Sequence, residues 1–305
     1  MKIELFPPLS IHEVGMRDNQ EDALWPKLPE KATEENSLYI LCDGMGGHEN
    51  GEIASRLVSI SIPHFLLSTG GLYFSDDETL NKALDFAYRQ LDYESQDKSK
   101  QMGTTLALLN IHDQGITAAH LGDSRIYHIR PNVGILYQSR DHSLAAELYQ
   151  AGEITYEEML NYPKKNIVTR AMMPGKDNRM HPDIIHITDI LPGDYFYLCS
   201  DGMLEQMSNN QLVTILSSDI TDEDKQRKLI ESTKDNQDNH SAWIIHIKGV
   251  TKEDGDETLP NEESTSRYNM VLNIPVNDKK EDSDVVIVKE GKNTIFHKFK
   301  KIIGL

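Results

Sequence analysis

Two short apolar runs in this sequence each end at an aspartate followed by glycine, in residues 41–45 (Leu-Cys-Asp-Gly-Met) and 198–203 (Leu-Cys-Ser-Asp-Gly-Met). An apolar run bounded by a turn signal is typical of a buried strand. Asp43 and Asp201 then lie where a strand leaves the core and a carboxylate can face a cleft. A third acidic turn begins at Asp238, just before another apolar run. Carboxylates from separate strand ends predict a divalent-metal site between two sheets.

The composition limits the classes of function. The chain has 305 residues and a formal net charge of -18, which argues against nonspecific nucleic-acid binding because that requires a basic surface. Both cysteines, Cys42 and Cys199, fall in predicted strands and are interpreted as core side chains. Residues 1–8 lack the apolar stretch of a signal peptide, and no apolar run is long enough to cross a bilayer. We expect a cytoplasmic protein in a reducing compartment.

Residues 1–250 alternate strand-like and helix-like runs joined by short turns. Apolar residues recur at helical spacing over 80–91, and Ser75 with Glu78 predicts a capping box at the start of that helix. The apolar run 104–121, interrupted by His-Asp-Gln-Gly, predicts a hairpin. Consecutive strands with tight turns favour antiparallel sheets over a parallel arrangement.

The composition changes after residue 249. Over residues 251–290, acidic side chains outnumber basic ones by eleven to five, which predicts a disordered acidic linker. Residues 291–305 contain four lysines and no acidic residue, with apolar residues at helical spacing: Ile295, Phe296, Phe299, Ile302 and Ile303. This pattern predicts a basic amphipathic tail that docks on an anionic membrane surface or an acidic partner. A tail that frays, or folds back on the acidic domain 1–250, is the alternative.

Two polar segments carry candidate chemistry. In residues 43–47 three glycines follow or flank the Asp43 turn, and glycine lets a backbone carbonyl approach a ligand closely. Asp43 and the Gly44 carbonyl offer oxygen ligands that suit Mg²⁺ or Mn²⁺ better than zinc, with an ordinary turn as the alternative. Residues 15–23 combine Arg17 with three carboxylates. A planar guanidinium can bind an oxyanion, but a solvated loop with a weak ion pair is also consistent.

Three further segments have a structural interpretation when each is taken alone. Residues 103–105 (Gly-Thr-Thr) open a strand with small side chains, so that backbone can pack closely there. Residues 122–125 (Gly-Asp-Ser-Arg) break a run that is otherwise strand, and a β-bulge is the simpler interpretation of that break. Residues 140–143 precede a predicted helix, where Asp141 or Ser143 would act as the cap.

Taken together, these segments resemble the metal-dependent serine/threonine protein phosphatases of type 2C (the PPM family), and more closely the bacterial form. The resemblance covers residues from about 8 to 248. The matching segments, in the family's order, are 17–22, 43–47, 103–105, 122–125, 200–202 and 238–239. The resemblance implies an α+β fold in which two stacked antiparallel β-sheets are flanked by helix pairs, an αββα sandwich, with the linker and tail outside it. The implied function is hydrolysis of phosphoserine and phosphothreonine on proteins by a water molecule that two metal ions activate.

The resemblance also implies a ligand set for Mn²⁺ or Mg²⁺. Asp43 would bridge two ions, and the Gly44 carbonyl would bind one of them. Asp201 and Asp238 would bind the other ion. Asp123, with Asp201, would hold a third and looser ion, as in bacterial members.

Three more residues receive implied roles. Glu21 and Asp22 would orient water molecules bound to the ions, and Arg17 would hold the substrate phosphate. The implied partners are phosphorylated proteins, including a serine/threonine kinase and its substrates. Because the chemistry needs no phosphoenzyme, neither cysteine has a catalytic role.

Some positions depart from the family's usual pattern. Many members place histidine directly after the first Asp-Gly, where this chain has Met45, as is usual in bacterial members; His48 lies nearby in sequence. The last segment usually continues Ile/Val-Thr, but His240 and Ser241 follow here. Residues 141–185 resemble the family's mobile flap, where substrate choice can differ.

Two other classes of function remain as alternatives. A phosphoprotein-binding module with the phosphatase fold and little turnover would be expected to lose metal ligands. This chain keeps every carboxylate expected at a two-metal centre, which favours an enzyme. A metal-dependent hydrolase on another fold is disfavoured by the hairpin-rich order of the strands.

Overall fold

The centre of the molecule is formed by two antiparallel sheets. This is the arrangement within the residues that the computed structural model describes, which are 1–27, 32–46, 49–95, 102–164, 166–175, 177 and 179–251. The first sheet has the order β1-β12-β11-β8-β9, with β2 also paired to β12. The second sheet has the order β10-β7-β6-β4-β3, with β5 also paired to β4.

The strands are β1 (Lys2–Leu5), β2 (Leu9–Glu13), β3 (Asp22–Trp25), β4 (Leu38–Met45), β5 (Gly103–Thr104), β6 (Leu106–His112), β7 (Gly115–Leu121), β8 (Arg125–Arg130), β9 (Gly134–Gln138), β10 (Asp183–Ile187), β11 (Tyr195–Cys199) and β12 (His240–Thr251). The helices are α1 (Glu49–Thr69), α2 (Asp77–Glu94), α3 (Leu144–Gln150), α4 (Tyr156–Leu160), α5 (Asn209–Leu216) and α6 (Asp222–Thr233). A short 3₁₀ helix covers Asp201–Leu204.

Alternation of side chains along β4 divides the second sheet into two buried faces. Leu38, Ile40 and Cys42 pack with α1 and α2 on the outer face. Tyr39 and Leu41 point the other way, into a core shared with the first sheet. All five side chains are at most 2% exposed, and full burial of a large apolar side chain stabilises the fold by about 1.5–3 kcal/mol.

The first sheet is organised in the same way. On β11, Tyr195, Tyr197 and Cys199 pack with residues of α5 and α6, whereas Phe196 and Leu198 join the core between the sheets. The four layers are therefore helix pair, sheet, sheet and helix pair. The predicted fold class, an αββα sandwich, is confirmed.

A contact between the sheets lies close to the strand ends that carry the acidic turns. Trp243 of β12 donates its indole N–H to the Ile40 carbonyl of β4 at 3.2 Å. Its ring also meets Tyr39 edge to face, with 5.5 Å between the ring centroids. This contact fixes the spacing of the two sheets near the cleft that opens between them.

Several local predictions need correction. The capping box expected at Ser75 and Glu78 is wrong: α2 begins one residue later, and Asp76 accepts hydrogen bonds from both the N–H and the hydroxyl of Thr79, at 2.7 and 3.0 Å. Each of the two carboxylate oxygens of Asp76 accepts one of these donors. Ser143 caps α3, as one of the two interpretations held, while Asp141 instead forms an ion pair with Arg125.

The predicted boundary near residue 250 falls where β12 ends at Thr251. The acidic linker and the basic tail lie outside the described residues from residue 252 onward. In the described part of the chain, none of the helices combines the length and the apolar character needed to span a membrane.

Candidate metal centre and active site

Four aspartates converge on one cleft from separate strand ends. Asp43 lies near the end of β4, Asp201 directly after β11, Asp238 just before β12, and Asp123 in the break between β7 and β8. All four line a cleft of about 460 Å³, which we call the active-site cleft. The structure thus brings these four side chains from separate strand ends to one cleft, and we refer to them as the cleft carboxylates.

The loop between β2 and β3 is held against the cleft by Asn239. Its side-chain amide donates to the Val14 carbonyl at 2.8 Å and to the Asn19 carbonyl at 2.9 Å, and its side-chain oxygen accepts from the Glu21 N–H at 2.8 Å. Gly15 has φ +64°, and an added Cβ would collide with the Asp238 carbonyl. These contacts bring the loop that carries Arg17 and Glu21 to the acidic turn before β12.

The Asp43 turn is fixed by its neighbours in the second sheet. The Asp43 N–H donates to the Thr105 hydroxyl at 2.9 Å, and the Asp43 carbonyl accepts from the Thr105 N–H at 2.9 Å and the Thr104 hydroxyl at 2.8 Å. A Cβ on Gly44 would collide with the Gly51 carbonyl of α1. Glycine at position 44 therefore allows α1 to pack against the turn, and the threonines of the Gly-Thr-Thr segment orient Asp43.

The two acidic residues at the start of β3 are placed differently. Glu21 lines the active-site cleft, whereas Asp22 lies behind it, opposite Asp43 in the β3–β4 pairing. Asp22 is buried, and its Oδ2 accepts from the Ser200 hydroxyl at 2.9 Å. Its Oδ1 has no hydrogen-bond partner among the described residues. Asp22 is thus a buried carboxylate with an unused acceptor, directly opposite Asp43.

Charge in the cleft is strongly unbalanced. Among the described residues that line it, Arg17 is the single cationic side chain, and its Nη2 donates to Asp238 Oδ2 at 2.7 Å. Burial raises the pKa of Asp43, and the negative charges of Asp22 and Asp201 raise it further. Burial likewise raises the pKa of Asp201 and Asp123, with neighbouring carboxylates adding to the effect.

These features fit a divalent cation. The described lining offers carboxylate and carbonyl oxygens but no histidine or cysteine, and such a donor set suits Mg²⁺ or Mn²⁺ rather than zinc. Bound cations would offset the repulsion between the carboxylates that raises their pKa values. The unpartnered Oδ1 of Asp22 indicates that this region is built to accept a further polar group, such as an ordered water.

Other residues singled out in the sequence lie at the cleft rim or away from it. Met45 lines the cleft where many family members have histidine, together with Met16, Asn166 and Val168. His48 lies outside the described residues.

Arg125, in the Gly-Asp-Ser-Arg segment, does not line the cleft. It forms a two-pronged ion pair with Asp141, at 2.6 and 2.7 Å, and donates to the Tyr127 hydroxyl at 3.1 Å. That segment therefore contains one residue of the cleft, Asp123, and one that fixes the start of β8.

Sequence reasoning missed the side chains that support the carboxylates. Asn239 was noted only as the neighbour of Asp238, and Ser200 only as part of a turn. Ser200 donates to Asp22 and accepts from the Ser241 N–H at 2.9 Å, which ties β3 to the first sheet. The contacts of Ser200 span 41 and 178 positions in sequence, and those of Asn239 span 218 to 225, so no local pattern reveals them.

Comparison with known proteins agrees with this geometry. Residues 19–240 match the family model described as protein phosphatase 2C. The chain is 35% identical over 206 residues to the protein phosphatase PhpP of Streptococcus pneumoniae, an alignment that covers 64% of this chain and 78% of the relative.

Two solved structures illustrate the similarity in fold. The serine/threonine phosphatase of S. agalactiae superposes with a TM-score of 0.68 at 30% identity, covering 79% of this chain and 99% of that one. The catalytic domain of the serine/threonine protein phosphatase PstP, in complex with 2 manganese ions, superposes with a TM-score of 0.66 at 25% identity, covering 81% of this chain and 100% of that one. The expectation of a serine/threonine phosphatase enzyme is confirmed, and the chain belongs to the protein phosphatase 2C family.

Proposed function

We propose that this chain hydrolyses phosphoserine and phosphothreonine on proteins in a reaction that depends on two Mn²⁺ or Mg²⁺ ions. The observation that carries the proposal is the convergence of the cleft carboxylates beside Arg17 in one cleft. Asp43, the Gly44 carbonyl, Asp201 and Asp238 would hold the two ions, and Asp123 with Asp201 would hold a third, weaker one. When bound, such ions supply an acidified water molecule as nucleophile and offset the negative charge of the phosphoryl oxygens.

Arg17 is the residue that we assign to the substrate phosphate. Its guanidinium is exposed at the cleft, and the bond to Asp238 holds it there. A guanidinium has five N–H donors in a planar fork, so that one bond to Asp238 leaves donors for two phosphate oxygens. We expect Arg17 to contribute mainly to substrate affinity and to the orientation of the phosphate.

Glu21 and Asp22 would orient water from two sides of the Asp43 turn. Glu21 faces the cleft, and its backbone carbonyl accepts from the Gly44 N–H at 3.1 Å, so its position is linked to the metal turn. Asp22 offers its buried Oδ1 from behind Asp43. The two carboxylates therefore have separate places, and we propose that Glu21 acts on water in the cleft while Asp22 binds an ordered water behind it.

The cysteines fit a reaction without a covalent phosphoenzyme. Cys42 and Cys199 are free and fully buried, and burial raises the pKa of both thiols. A thiol is nucleophilic only as the thiolate, so neither cysteine is suited to attack phosphorus. Reduced, buried thiols also agree with the cytoplasm, where we place this activity.

The substrates we propose are phosphorylated proteins, including a serine/threonine kinase and the proteins that it phosphorylates. A phosphoprotein-binding module without turnover is the second candidate. The presence of all four cleft carboxylates favours turnover, because binding alone would not require a complete set of metal ligands.

Hydrolysis of a phosphothreonine peptide by the full chain tests the proposal. Protein stripped with a chelator should be inactive and should regain activity with Mn²⁺ or Mg²⁺. Asp238→Asn should remain inactive at the same metal concentration, whereas Asp235→Asn, which removes an exposed carboxylate on the same loop, should match the parent chain. Turnover by the stripped protein would exclude the metal-dependent mechanism, and peptide binding without turnover in saturating Mn²⁺ would favour the binding module.

A further inference from the structure

A buried histidine outside the cleft fixes the residue that precedes Asp123. His142 lies between β9 and α3 and is 2% exposed. Its backbone N–H donates to the Gly122 carbonyl at 2.9 Å, and the Gly122 N–H donates to its ring nitrogen Nδ1 at 3.1 Å. Both backbone groups of Gly122 are therefore satisfied by one residue, directly beside Asp123.

The turn at Gly122 depends on this contact. Gly122 has φ +110°, in the left-handed region, and a Cβ there would lie 2.6 Å from the Thr105 side chain. On the other side of Asp123, the Ser124 hydroxyl contacts the Thr105 hydroxyl at 2.7 Å. Without an acceptor on His142, the buried Gly122 N–H would lose its partner, and such a group is costly to leave unpaired. The turn would then shift, and Asp123 would shift with it.

The contacts of His142 distinguish its two ring nitrogens. Nδ1 accepts from the fixed backbone N–H of Gly122. Nε2 lies between two side chains, 3.1 Å from Asp183 Oδ2 and 2.8 Å from Arg170 Nη1. Arg170 then serves as the partner of the other oxygen, with its Nη1 at 3.0 Å from Asp183 Oδ1.

His142 also anchors the opposite wall of the cleft. Its carbonyl accepts from the Thr169 N–H at 2.8 Å, and the neighbouring Ser143 forms a β-bridge with Val168. Val168 and Asn166 line the active-site cleft. One residue therefore links the Asp123 turn to the segment that forms the rim of the cleft.

A metal ion on this histidine is the competing explanation. His120, His142 and Asp183 each offer a ligand atom within 4.8 Å of the others, the one three-residue group of this kind in the part of the chain that is described. However, the guanidinium of Arg170 already lies beside His142 Nε2, with its Nη1 at 2.8 Å, and a metal ion could not bind there without displacing this cation. The two rings are stacked, 12° from parallel with 4.7 Å between their centroids, so their in-plane lone pairs do not converge. The geometry fits a hydrogen-bonded histidine and not a metal ligand.

We propose that His142 is a positioning residue for Asp123, acting through Gly122, and that it couples the weakest metal site to the rim of the cleft. The inference rests on the proposed function, in which Asp123 holds a third ion. His142 itself is not among the residues that line the active-site cleft. Its effect on the reaction therefore passes through the position of the Asp123 carboxylate.

The test compares His142→Asn with His142→Gln in the full chain. The asparagine side-chain oxygen can replace Nδ1 and accept from the Gly122 N–H, whereas glutamine places its amide near Nε2 and leaves that N–H unpaired. In a calorimetric Mn²⁺ titration, His142→Gln should weaken the weakest site at least about tenfold, the effect typical of losing a residue that orients a metal ligand. His142→Asn should stay within about twofold of the parent chain, and the tighter ions should bind equally in both variants.

Two further variants separate this inference from the proposed function. Asp123→Asn should remove the weak site, and adding His142→Gln to it should cause no further loss, because the histidine acts through that carboxylate. Asp183→Ala removes the half-exposed partner of His142 and should weaken Mn²⁺ binding at the weak site less than His142→Gln does. This variant replaces His142→Gln in the test if His142→Gln does not fold.

Three outcomes would contradict either the proposed role of Asp123 or the positioning role of His142. If Asp123→Asn leaves the Mn²⁺ titration unchanged, the proposed role of Asp123 fails. If Asp123→Asn removes the weak site but His142→Gln and His142→Asn behave alike, the positioning role fails. Tight Zn²⁺ binding that is lost on His120→Ala would also overturn it, because a metal would then hold the imidazole.

Discussion

The active-site cleft and the buried cluster around Asp194 place the same side chain in opposite electrostatic surroundings. Asp194 is fully buried and accepts from His128 at 2.9 Å, from Arg130 at 2.8 and 2.9 Å, and from the Leu191 N–H at 2.9 Å. Burial alone would raise its pKa, but the His128 and Arg130 hydrogen bonds outweigh burial and lower it to about 2. Burial raises the pKa of Asp43, and nearby carboxylates raise it further.

The opposite pKa shifts distinguish Asp194, which is neutralised within the fold, from the cleft carboxylates, which we propose to bind cations. Asp194 has its counter-charge in the folded chain, so its ionised form stabilises the fold. The cleft carboxylates face one another and a single arginine in the described lining, so their ionised forms oppose folding until cations arrive. This contrast supports our proposal of a metal site at the cleft and a structural role for Asp194.

The largest expected effect is that of Asp43→Asn. This change removes a ligand of both proposed ions, and kcat for a phosphothreonine peptide in Mn²⁺ should fall at least about 10³-fold, about 4 kcal/mol in activation free energy. In chelator, the melting temperature should stay equal or rise, because a repelling buried charge has been removed. Parallel kinetics and thermal melts check both outcomes, and near-normal kcat would contradict the assignment of Asp43.

The opposite pattern is expected for Asp194→Asn. Loss of the buried charge leaves Arg130 and His128 without their partner, which should lower the free energy of unfolding by about 3 kcal/mol at pH 7. The rate of peptide hydrolysis should be unchanged. Urea unfolding measures the first effect, and Asp189→Asn is the matched control because Asp189 pairs with the same arginine but is 71% exposed. Asp189→Asn should lower the free energy of unfolding by no more than about 1 kcal/mol.

The pH dependence sharpens this prediction. The folded-state pKa of Asp194 is lowered, so its contribution to stability is fully present above the unfolded value of about 3.9 and is lost as pH falls through about 2. The stability difference between the parent chain and Asp194→Asn should therefore narrow between those two pH values. A difference that stays constant over that range would show that shape, and not charge, determines the cost.

Arg17→Ala tests the single cationic side chain among the described residues that line the active-site cleft. Arg17 should contribute mainly to phosphate affinity, so KM for the peptide should rise about tenfold, about 1.4 kcal/mol, with a smaller change in kcat. Arg17→Lys should recover only part of the affinity, because an ammonium lacks the planar fork. Arg56→Ala removes an exposed arginine from α1 as the control. A fall in kcat without a change in KM would instead place Arg17 in transition-state stabilisation.

The sequence predicted those features that have a local or ordered signature. The strand ends at Asp43 and Asp201 follow from apolar runs and turn residues, and the order of six short segments indicated the fold. The long hairpin was also predicted, because β6 and β7 are buried throughout and joined by a two-residue turn. Strands β1, β2, β9 and β10 gave no comparable signal, because they are short and partly exposed.

The supporting contacts could not be predicted because they join distant positions. Asn239 binds Val14 across 225 positions, and Asp22 receives the Ser200 hydroxyl across 178. The sequence also could not show that Glu21 faces the cleft while Asp22 lies behind it. Glu21 precedes β3 and lines the cleft, whereas Asp22 pairs with Asp43 inside the sheet and is covered by Ser200 of the first sheet.

The smallest effect on catalysis is expected from removal of residues 252–305. The active-site cleft and the cluster around Asp194 both lie before residue 252. Strand β12 is also complete there, with Thr251 paired to Lys2 of β1. Peptide hydrolysis should therefore stay within about twofold of the full chain, the range typical of changes that touch no packed element. Residues 291–305 of the removed segment contain four lysines among apolar residues at helical spacing, so binding to phosphatidylcholine vesicles containing phosphatidylserine should decrease.

A full-length chain with Lys298, Lys300 and Lys301 changed to glutamine is the matched control, since it keeps the apolar residues but removes the charge. It should lose vesicle binding to a similar extent, because attraction to anionic lipid depends on those cations. If the truncated chain fails to fold or loses turnover, the segment contributes to the phosphatase domain. In that case the lysines of residues 291–305 would offset part of the negative charge of the domain. They would then be a source of positive charge in addition to Arg17 at the cleft and Arg130 at Asp194.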